Sequence, residues 1–524
     1  MYLSEFLGEE PDKWSAGDIV MIGTPPGSGK TTFAHDYAIQ QALKGKRVAF
    51  LSSRSILKDQ MEAEHFARIA NIKAGKEKAL KNIKFFTYQT VEECIKNGGF
   101  WYTFDVIIAD EVHYFISDST FNVNTLLSFD WLMSQWNTLL ILMSGTIEKI
   151  RDFLYENHKL KRLREQNTGK MQVTIGRYRI CHDYQMQPVY SNYIVKYLGD
   201  DSELVEIFKN DKTAKALIFT ANKERGEKLK NSLIENDMTA EFVNASKKNV
   251  EIKGDLSDLS MFREQILIAT SVLDVGVSIH DEKVCYIVVE AYDKDTFRQM
   301  LARLRVKPDR QVTLLIYQQS LELFQKWLGR VKSKLKILKK LIDIPEEKLE
   351  ENLVKMAFAP EFILEDVKAV IQQDRMSVNK LACTQMLTLY GEYREILEGL
   401  KEDDDFFLLK QLEWLGKEDE FDVDNFVAKE IKQKRRKVLI ELIDKEIEKM
   451  DGSIDKNELQ EILMRLHSSV RALDREYVRS NGKLSPKKFR QICKIEELPF
   501  EIEQCQNQKT RREMYRIVRT TDRT

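Results

Sequence analysis

Over the first three hundred positions, apolar residues fall in short runs separated by amphipathic stretches. The runs are Ile19–Ile22, Val48–Leu51, Ile83–Phe86, Val106–Ala109, Leu139–Met143, Ala216–Thr220, Ile266–Thr270, Val284–Val289 and Val312–Tyr317. They are mostly β-branched or aromatic and show little alternation. Strands buried on both faces of a parallel sheet produce that pattern, whereas a half-exposed strand alternates. With helical stretches between them, the runs predict an α/β class with two such sheets in series. After about Ser320 the texture changes. Leu321 to Thr524 has no comparable run and reads as charged amphipathic helices. Pro345 before Glu346 and Glu347, Pro360 before Glu361, and Ser485-Pro486 look like helix starts. The expected domains are 1–165, 166–322 and 323–524.

Composition narrows the function classes. The chain has 524 residues, 43% hydrophobic and 31% charged, with 9 Pro and 22 Gly, which excludes a low-complexity chain. Lys plus Arg number 82 against 83 Asp plus Glu, a net charge of -1. A globally basic nucleic-acid binder is excluded, but a local basic groove is not. None of the six cysteines forms a C-x-x-C pair, and scattered thiols suit a reducing cytosol. The start carries acids and no apolar h-region, so no signal peptide is expected. No run of about 18 apolar residues occurs, so no membrane span is expected. A cytoplasmic protein is the expectation.

The chemistry concentrates in two segments. Thr24, Pro25, Pro26, Gly27, Ser28, Gly29, Lys30, Thr31 and Thr32 lie between an expected strand and an expected helix, the context of a phosphate-binding loop. The glycines let backbone N–H groups close on phosphates, Lys30 adds a point charge, and Thr31 offers a hydroxyl to Mg²⁺. The helix N-terminus favours the anion. The strict pattern wants Gly where Thr24 stands. Asp110-Glu111-Val112-His113 ends the run Val106–Ala109. Carboxylates at a strand's C-terminal tip sit beside such a loop. Asp110 is expected to hold Mg²⁺ and Glu111 to take the proton from an attacking water.

Together these segments resemble the superfamily 2 helicases of the DExH type over about residues 15–320, with Thr24–Thr31 as motif I and Asp110–His113 as motif II. Ser52-Ser53-Arg54 resembles motif Ia, and the segment around Thr87 resembles motif Ib. Ser144-Gly145-Thr146 resembles motif III and Ala216–Thr220 motif IV. Ala269 to Val277, with Thr270 and Gly276, resembles motif V. Arg298, Gln299, Arg303 and Arg305 fall in a motif VI-like segment. The resemblance implies two tandem RecA-like domains with ATP and Mg²⁺ in the cleft, followed by the helical C-terminal region. It implies a nucleic-acid-stimulated ATP hydrolase, a helicase or translocase. Arg54, Thr87, Ser144, Thr146 and Thr270 would serve nucleic-acid contact or coupling, and Gly276 and Gln299 would lie beside the nucleotide. DNA is favoured over RNA from the T-x-V-x-x-x-G-V form of motif V. The alternative is an ATPase subunit of a replication, mobile-element or defence complex, meeting protein partners through the helical region.

Two departures bear on the site. The motif VI arginines, usually three apart, are here two apart. On an ideal helix that is about 200° of rotation, so Arg303 is expected to be the finger and Arg305 the lesser partner unless the helix is ending. No Gln precedes Gly23 to read adenine, so Trp14 or Phe6 is a candidate to stack on the base. Elsewhere, Asp451 to Glu458 matches half a calcium loop but lacks its first ligands, and reads as a turn. Arg471, Arg475 and Arg479 share a helix face, and Lys432 to Lys437 form a basic run followed by acids. Ion-paired solvated faces are the favoured reading of both. His182 and His467 lack partners at metal spacing and read as structural.

Overall fold

The computed structural model describes residues 2–25, 27–53, 55–70, 75–155, 180–187, 190–243, 262–270, 279–307, 309–342, 363–365, 376–450, 452–473, 484–506 and 512–520. Its first sheet contains β1 (Ile19–Gly23), β2 (Val48–Ser52), β3 (Ile83–Thr87), β4 (Val106–Asp110), β5 (Leu139–Ser144) and β6 (Ile180–Gln185), in the order β3-β2-β4-β5-β1-β6. Every pairing in it is parallel. The second contains β7 (Tyr193–Leu198), β8 (Lys215–Phe219), β9 (Ala240–Val243), β10 (Ile266–Ala269), β11 (Val284–Val289) and β12 (Val312–Tyr317), in the order β7-β12-β11-β8-β10-β9. Its pairings from β12 through β9 are parallel. These are tandem RecA-like sheets, and all nine expected strands are present.

β1, β2, β4 and β5 are buried at every position, as their uninterrupted apolar runs require. Two clusters cover the faces of this sheet. One gathers Met21, Leu51, Ile107 and Leu140 with Tyr88, Phe115 and Phe129. The other gathers Val20, Phe50, Ile108 and Ile141 with Trp14, Phe33 and Tyr37. Strands β6, β7 and β9 lack the uninterrupted signature and were not expected. All three are edge strands, where one side of the ladder has no neighbour and alternate residues face water. β6 pairs with β1, so residues 180–185 still belong to the first sheet, past the expected boundary at 165.

The chain divides into two compact units, Met1–Val195 with Phe208–Phe421, and Lys196–Ile207 with Asp422–Thr524. Helices Leu321–Ile342, Lys380–Gly399 and Phe406–Leu415 therefore belong with the sheets. Phe324 is fully buried against Tyr292, Tyr393 and Phe407, and Leu381 joins the core of the first sheet. The region after Ser320 is not purely helical. β13 (Ile363–Glu365) pairs with β14 (Met376–Val378), and β15 (Phe500–Gln506) with β16 (Glu513–Arg519), both antiparallel. In β15, buried Phe500 and Ile502 alternate with half-exposed Glu501 and Glu503, a pattern distinct from the runs of the parallel sheets. The expected helix start at Pro486 is present, with the Ser485 side chain accepting from the Lys488 N–H. Pro345 and Pro360 lie outside the described residues.

Candidate active site between the two sheets

The loop after β1 turns tightly because Gly27 and Gly29 both take positive φ, at 79° and 84°, where a side chain would be strained. Its sequel, the helix Lys30–Leu43, begins at Lys30 with Gly29 as its N-cap residue. Thr24 is buried; its N–H donates to the Ser144 carbonyl (3.1 Å) and its hydroxyl bonds that of Ser28. That hydroxyl pair closes the loop where the strict pattern has glycine. Lys30 Nζ lies 3.1 Å from Asp110 Oδ1 and 3.1 Å from Glu111 Oε1.

The acids arrive on β4. Asp110 ends that strand, and the Tyr88 hydroxyl donates to its carbonyl (2.8 Å). Glu111 has φ 53°, a left-handed conformation that costs a non-glycine residue roughly 1–3 kcal/mol. This turn aims its carboxylate back at Lys30. Burial raises the Glu111 carboxyl, but Lys30, the hydrogen bond from His113 and the charge of Arg303 outweigh burial and hold it well below the usual range. Burial, with Glu111 beside it, raises Asp110 against the pull of Lys30. Burial lowers Lys30, but its two carboxylates overcome this and raise it.

His113 joins the turn after β4 to the loop after β5. Its Nδ1 lies 2.9 Å from Ser144 Oγ and 3.3 Å from Glu111 Oε2, and Ser144 Oγ accepts from the Thr146 N–H (3.0 Å). Thr146 Oγ1 in turn accepts from Gln299 Nε2 (3.2 Å), on the helix Lys294–Leu301 that follows the second sheet's β11. One polar chain thus runs from Glu111 across to Gln299. Arg298 pairs with Glu148 (3.0 Å) and donates to the Trp414 carbonyl. Lys149 is enclosed by Asp295 (3.1 Å), Glu392 (3.7 Å) and Asp293 (4.0 Å). Burial, with the neighbouring aspartates, pushes the Glu392 carboxyl up to about 7. No sequence signal pointed to Glu148, Lys149 or Glu392, whose partners are far away along the chain.

The helix carrying Gln299 ends at Leu301. Leu304 then forms a parallel bridge with Ile279, with hydrogen bonds from Ile279 N–H to the Arg303 carbonyl (2.8 Å) and from Arg305 N–H to the Ile279 carbonyl (2.9 Å). In an extended segment residues two apart share a side. Arg303 and Arg305 therefore both enter the cleft, as the proviso of an ending helix allows. Arg305 Nη1 comes within 3.7 Å of where a Cβ on Gly27 would stand. These groups line one cavity of about 1650 Å³, with Gly23, Thr24, Pro25, Thr31, Thr32, Gln185 and Tyr190 also on its wall.

Other expected residues fall differently. Trp14 is a core residue, packed against Phe33, Tyr37 and Tyr184, with its indole N–H 3.3 Å from the Tyr184 hydroxyl. It is removed as a base-stacking candidate. Phe6 does not line the cavity; Tyr2, which sequence reading passed over, does, its ring beside Gly29. Thr87 is buried and its hydroxyl caps the helix Tyr88–Lys96 by accepting from the Thr90 N–H (3.0 Å). Thr270, at the tip of β10, is buried. Pro26, Arg54 and Gly276 lie outside the described residues, as do Arg475, Arg479 and Asp451. The basic run is ion-paired as favoured, Lys432 to Glu497 (2.7 Å), Lys434 to Glu430 (2.8 Å) and Arg435 to Glu496 (3.7 Å). Among the described residues no cluster of three or more His, Cys, Asp or Glu could hold a metal, and no helix is long and apolar enough to cross a membrane.

Residues 13–149 match the family model described as "Type III restriction enzyme, res subunit". The chain is also similar to solved helicase structures. Dbp5 of Saccharomyces cerevisiae, bound to RNA and ADP BeF3, is 14% identical, with a TM-score of 0.40 over 57% of this chain and 78% of that one. The Escherichia coli DEAH/RHA helicase HrpB is 14% identical, with a TM-score of 0.40 over 60% of this chain and 42% of that one. No curated protein matches the chain.

Proposed function

We propose that the chain is an ATP-dependent nucleic-acid helicase or translocase of the superfamily 2 DExH type, acting on DNA in preference to RNA. The observation that carries this reading is the convergence of Lys30, Asp110 and Glu111 from the first sheet with Arg303 and Arg305 from the second. A triphosphate fits this donor set. The backbone of Gly27 to Thr32 and the Lys30 ammonium bind its phosphates. The Thr31 hydroxyl and Asp110 carboxylate would hold Mg²⁺, which when bound offsets phosphate charge. Glu111, kept ionised, takes the proton from the attacking water. Arg303 and Arg305 stabilise charge that develops during transfer. Because they come from the other sheet, hydrolysis depends on domain closure. The chain Glu111–His113–Ser144–Thr146–Gln299 is the route by which the state of the site reaches the second domain. Arg54, Thr87 and Thr270 are the proposed contacts to a nucleic-acid backbone.

The deciding experiment is the ATPase rate against single- and double-stranded DNA and RNA. Stimulation is expected, larger with DNA, and hydrolysis insensitive to all four would overturn the nucleic-acid reading. A second reading is an ATPase subunit that remodels nucleoprotein without separating strands. The match to a model described as a subunit supports it. Strand displacement measured beside protein displacement separates the two.

A further inference from the structure

The unit containing Asp422–Thr524 has an element order of its own. Helix Val427–Glu448 is followed by an extended residue, Ile454, then helices Lys456–Leu473 and Pro486–Ile495, then the hairpin β15–β16. Ile454 and Tyr515 exchange backbone hydrogen bonds of 2.9 and 2.8 Å, adding a rung beside β16. One core joins all these elements, with Leu439, Ile454, Leu463, Phe489, Phe500 and Ile517 among its members. Helix, strand, helix, helix and hairpin around a single core is the arrangement of a winged helix–turn–helix. In that arrangement the last helix before the hairpin offers its outer face to a duplex.

Here that helix is Pro486–Ile495. Phe489, Ile492 and Cys493 are buried in the core. Lys487, Arg490, Gln491 and Lys494, at spacings of three, four and seven, form the exposed face. The helix contains no acid. Several cations elsewhere in this unit are answered, Lys432 by Glu497, Lys434 by Glu430, Arg465 by Glu446 and Arg519 by Asp444. Among the described residues no carboxylate pairs with Lys487, Lys488 or Lys494. Arg490 donates to the Ile502 carbonyl (2.9 Å), which ties the helix to β15. The face is therefore rigidly mounted and uncompensated, complementary to a polyanion.

Groove shape selects among polyanions. The B-DNA major groove, about 12 Å wide, admits an α-helix, whereas that of A-form RNA is too deep and narrow to be read by side chains. We propose that Asp422–Thr524 is a duplex-DNA-binding module whose helix Pro486–Ile495 enters the major groove. Lys487 and Lys494 contact phosphates, and the Gln491 amide faces base edges. The module provides a grip on DNA that requires no ATP.

The test uses the full chain without nucleotide, so its outcome stands apart from the ATPase reading. Anisotropy is read on a labelled DNA duplex of about 20 base pairs, beside an RNA duplex and a single DNA strand of equal length, at several salt concentrations. Lys487→Ala/Gln491→Ala/Lys494→Ala should weaken duplex DNA binding about tenfold and flatten its log–log salt slope by about 0.9 per lysine. Binding to the other two probes should not change. Equal loss on all three probes would overturn the groove assignment, and no loss on duplex DNA would overturn the module. Acetylation of the wild-type chain keeps the test independent of how the variant folds. Duplex DNA should protect Lys487 and Lys494 from the reagent, and protection of neither sinks the proposal.

Discussion

Lys30 and Glu111 are bound to one another in charge and geometry, so their substitutions should differ in kind. Lys30→Ala removes the charge proposed to hold the phosphates and leaves the Asp110 and Glu111 carboxylates without their shared cation. We expect loss of both ATP binding and hydrolysis. Glu111→Gln keeps shape and removes the proposed base, so hydrolysis should vanish while ATP binding survives. Filter binding beside ATPase rates checks both, and wild-type turnover in either variant would remove the site assignment. A second feature at this scale lies behind the loop. His35 and His65 are fully buried, their Nδ1 atoms 3.1 Å apart, against Phe50 and Phe85. Burial pushes both rings down to about 4, helped at His35 by Arg68 and at His65 by His35 and Arg68. Below about pH 6.5 the unfolded chain protonates these rings first, so stability falls as pH drops toward 4. Each ring carries about 3 kcal/mol at full protonation of the unfolded state. Glu392 acts in the opposite sense between about pH 4.5 and 7. The check is therefore a difference, in which melting temperature against pH falls more steeply on the acid side in the wild type than in His35→Leu/His65→Phe. Parallel profiles would refute it.

At the level of elements, strand position decides what can be read from residue types. Central strands are buried on both faces and appear as apolar runs; the edge strands β6, β7 and β9 do not, and the edge strand β3 has exposed Lys84 within its run. The segment Arg298–Arg305 shows how an element's end alters what its side chains can reach. An ideal helix would turn Arg303 and Arg305 apart, but the helix stops at Leu301 and a parallel bridge at Leu304 sets them side by side. We therefore expect Arg303→Ala and Arg305→Ala each to reduce hydrolysis by about 10³ or more, with nucleotide affinity little changed. Single-turnover rates at saturating ATP decide it. A loss confined to Arg303 would mean that Arg305 reaches the cleft without acting there.

For the whole molecule, the boundary drawn by sequence texture differs from the boundary of packing. Helices after Leu321 complete the first compact unit, and Phe324 and Leu381 are buried in cores shared with the sheets. Removing Leu321 to Thr524 strips large apolar side chains from those cores, each worth roughly 2–5 kcal/mol when lost. We expect that truncation to be insoluble or to melt far below the intact chain. A truncation that melts with the wild type would show that the sheets stand alone.

The sequence by itself determined the class, the two sheets in series, the glycine turn after β1 and the acids at the tip of β4. These rest on local chemistry: apolar runs, a glycine turn between strand and helix, and carboxylates at a strand tip. Tertiary structure alone decided what depends on partners distant in the chain. It buried Trp14 in the core rather than beside a base, brought Arg305 into the cleft, and enclosed Lys149 between Asp295 and Glu392. It also showed that Lys487, Gln491 and Lys494 form one uncompensated face. The reason is physical. Periodicity encodes which residues seek burial, but the identity of the neighbour, and so the sign of the field at a charged group, arises only when separate elements pack.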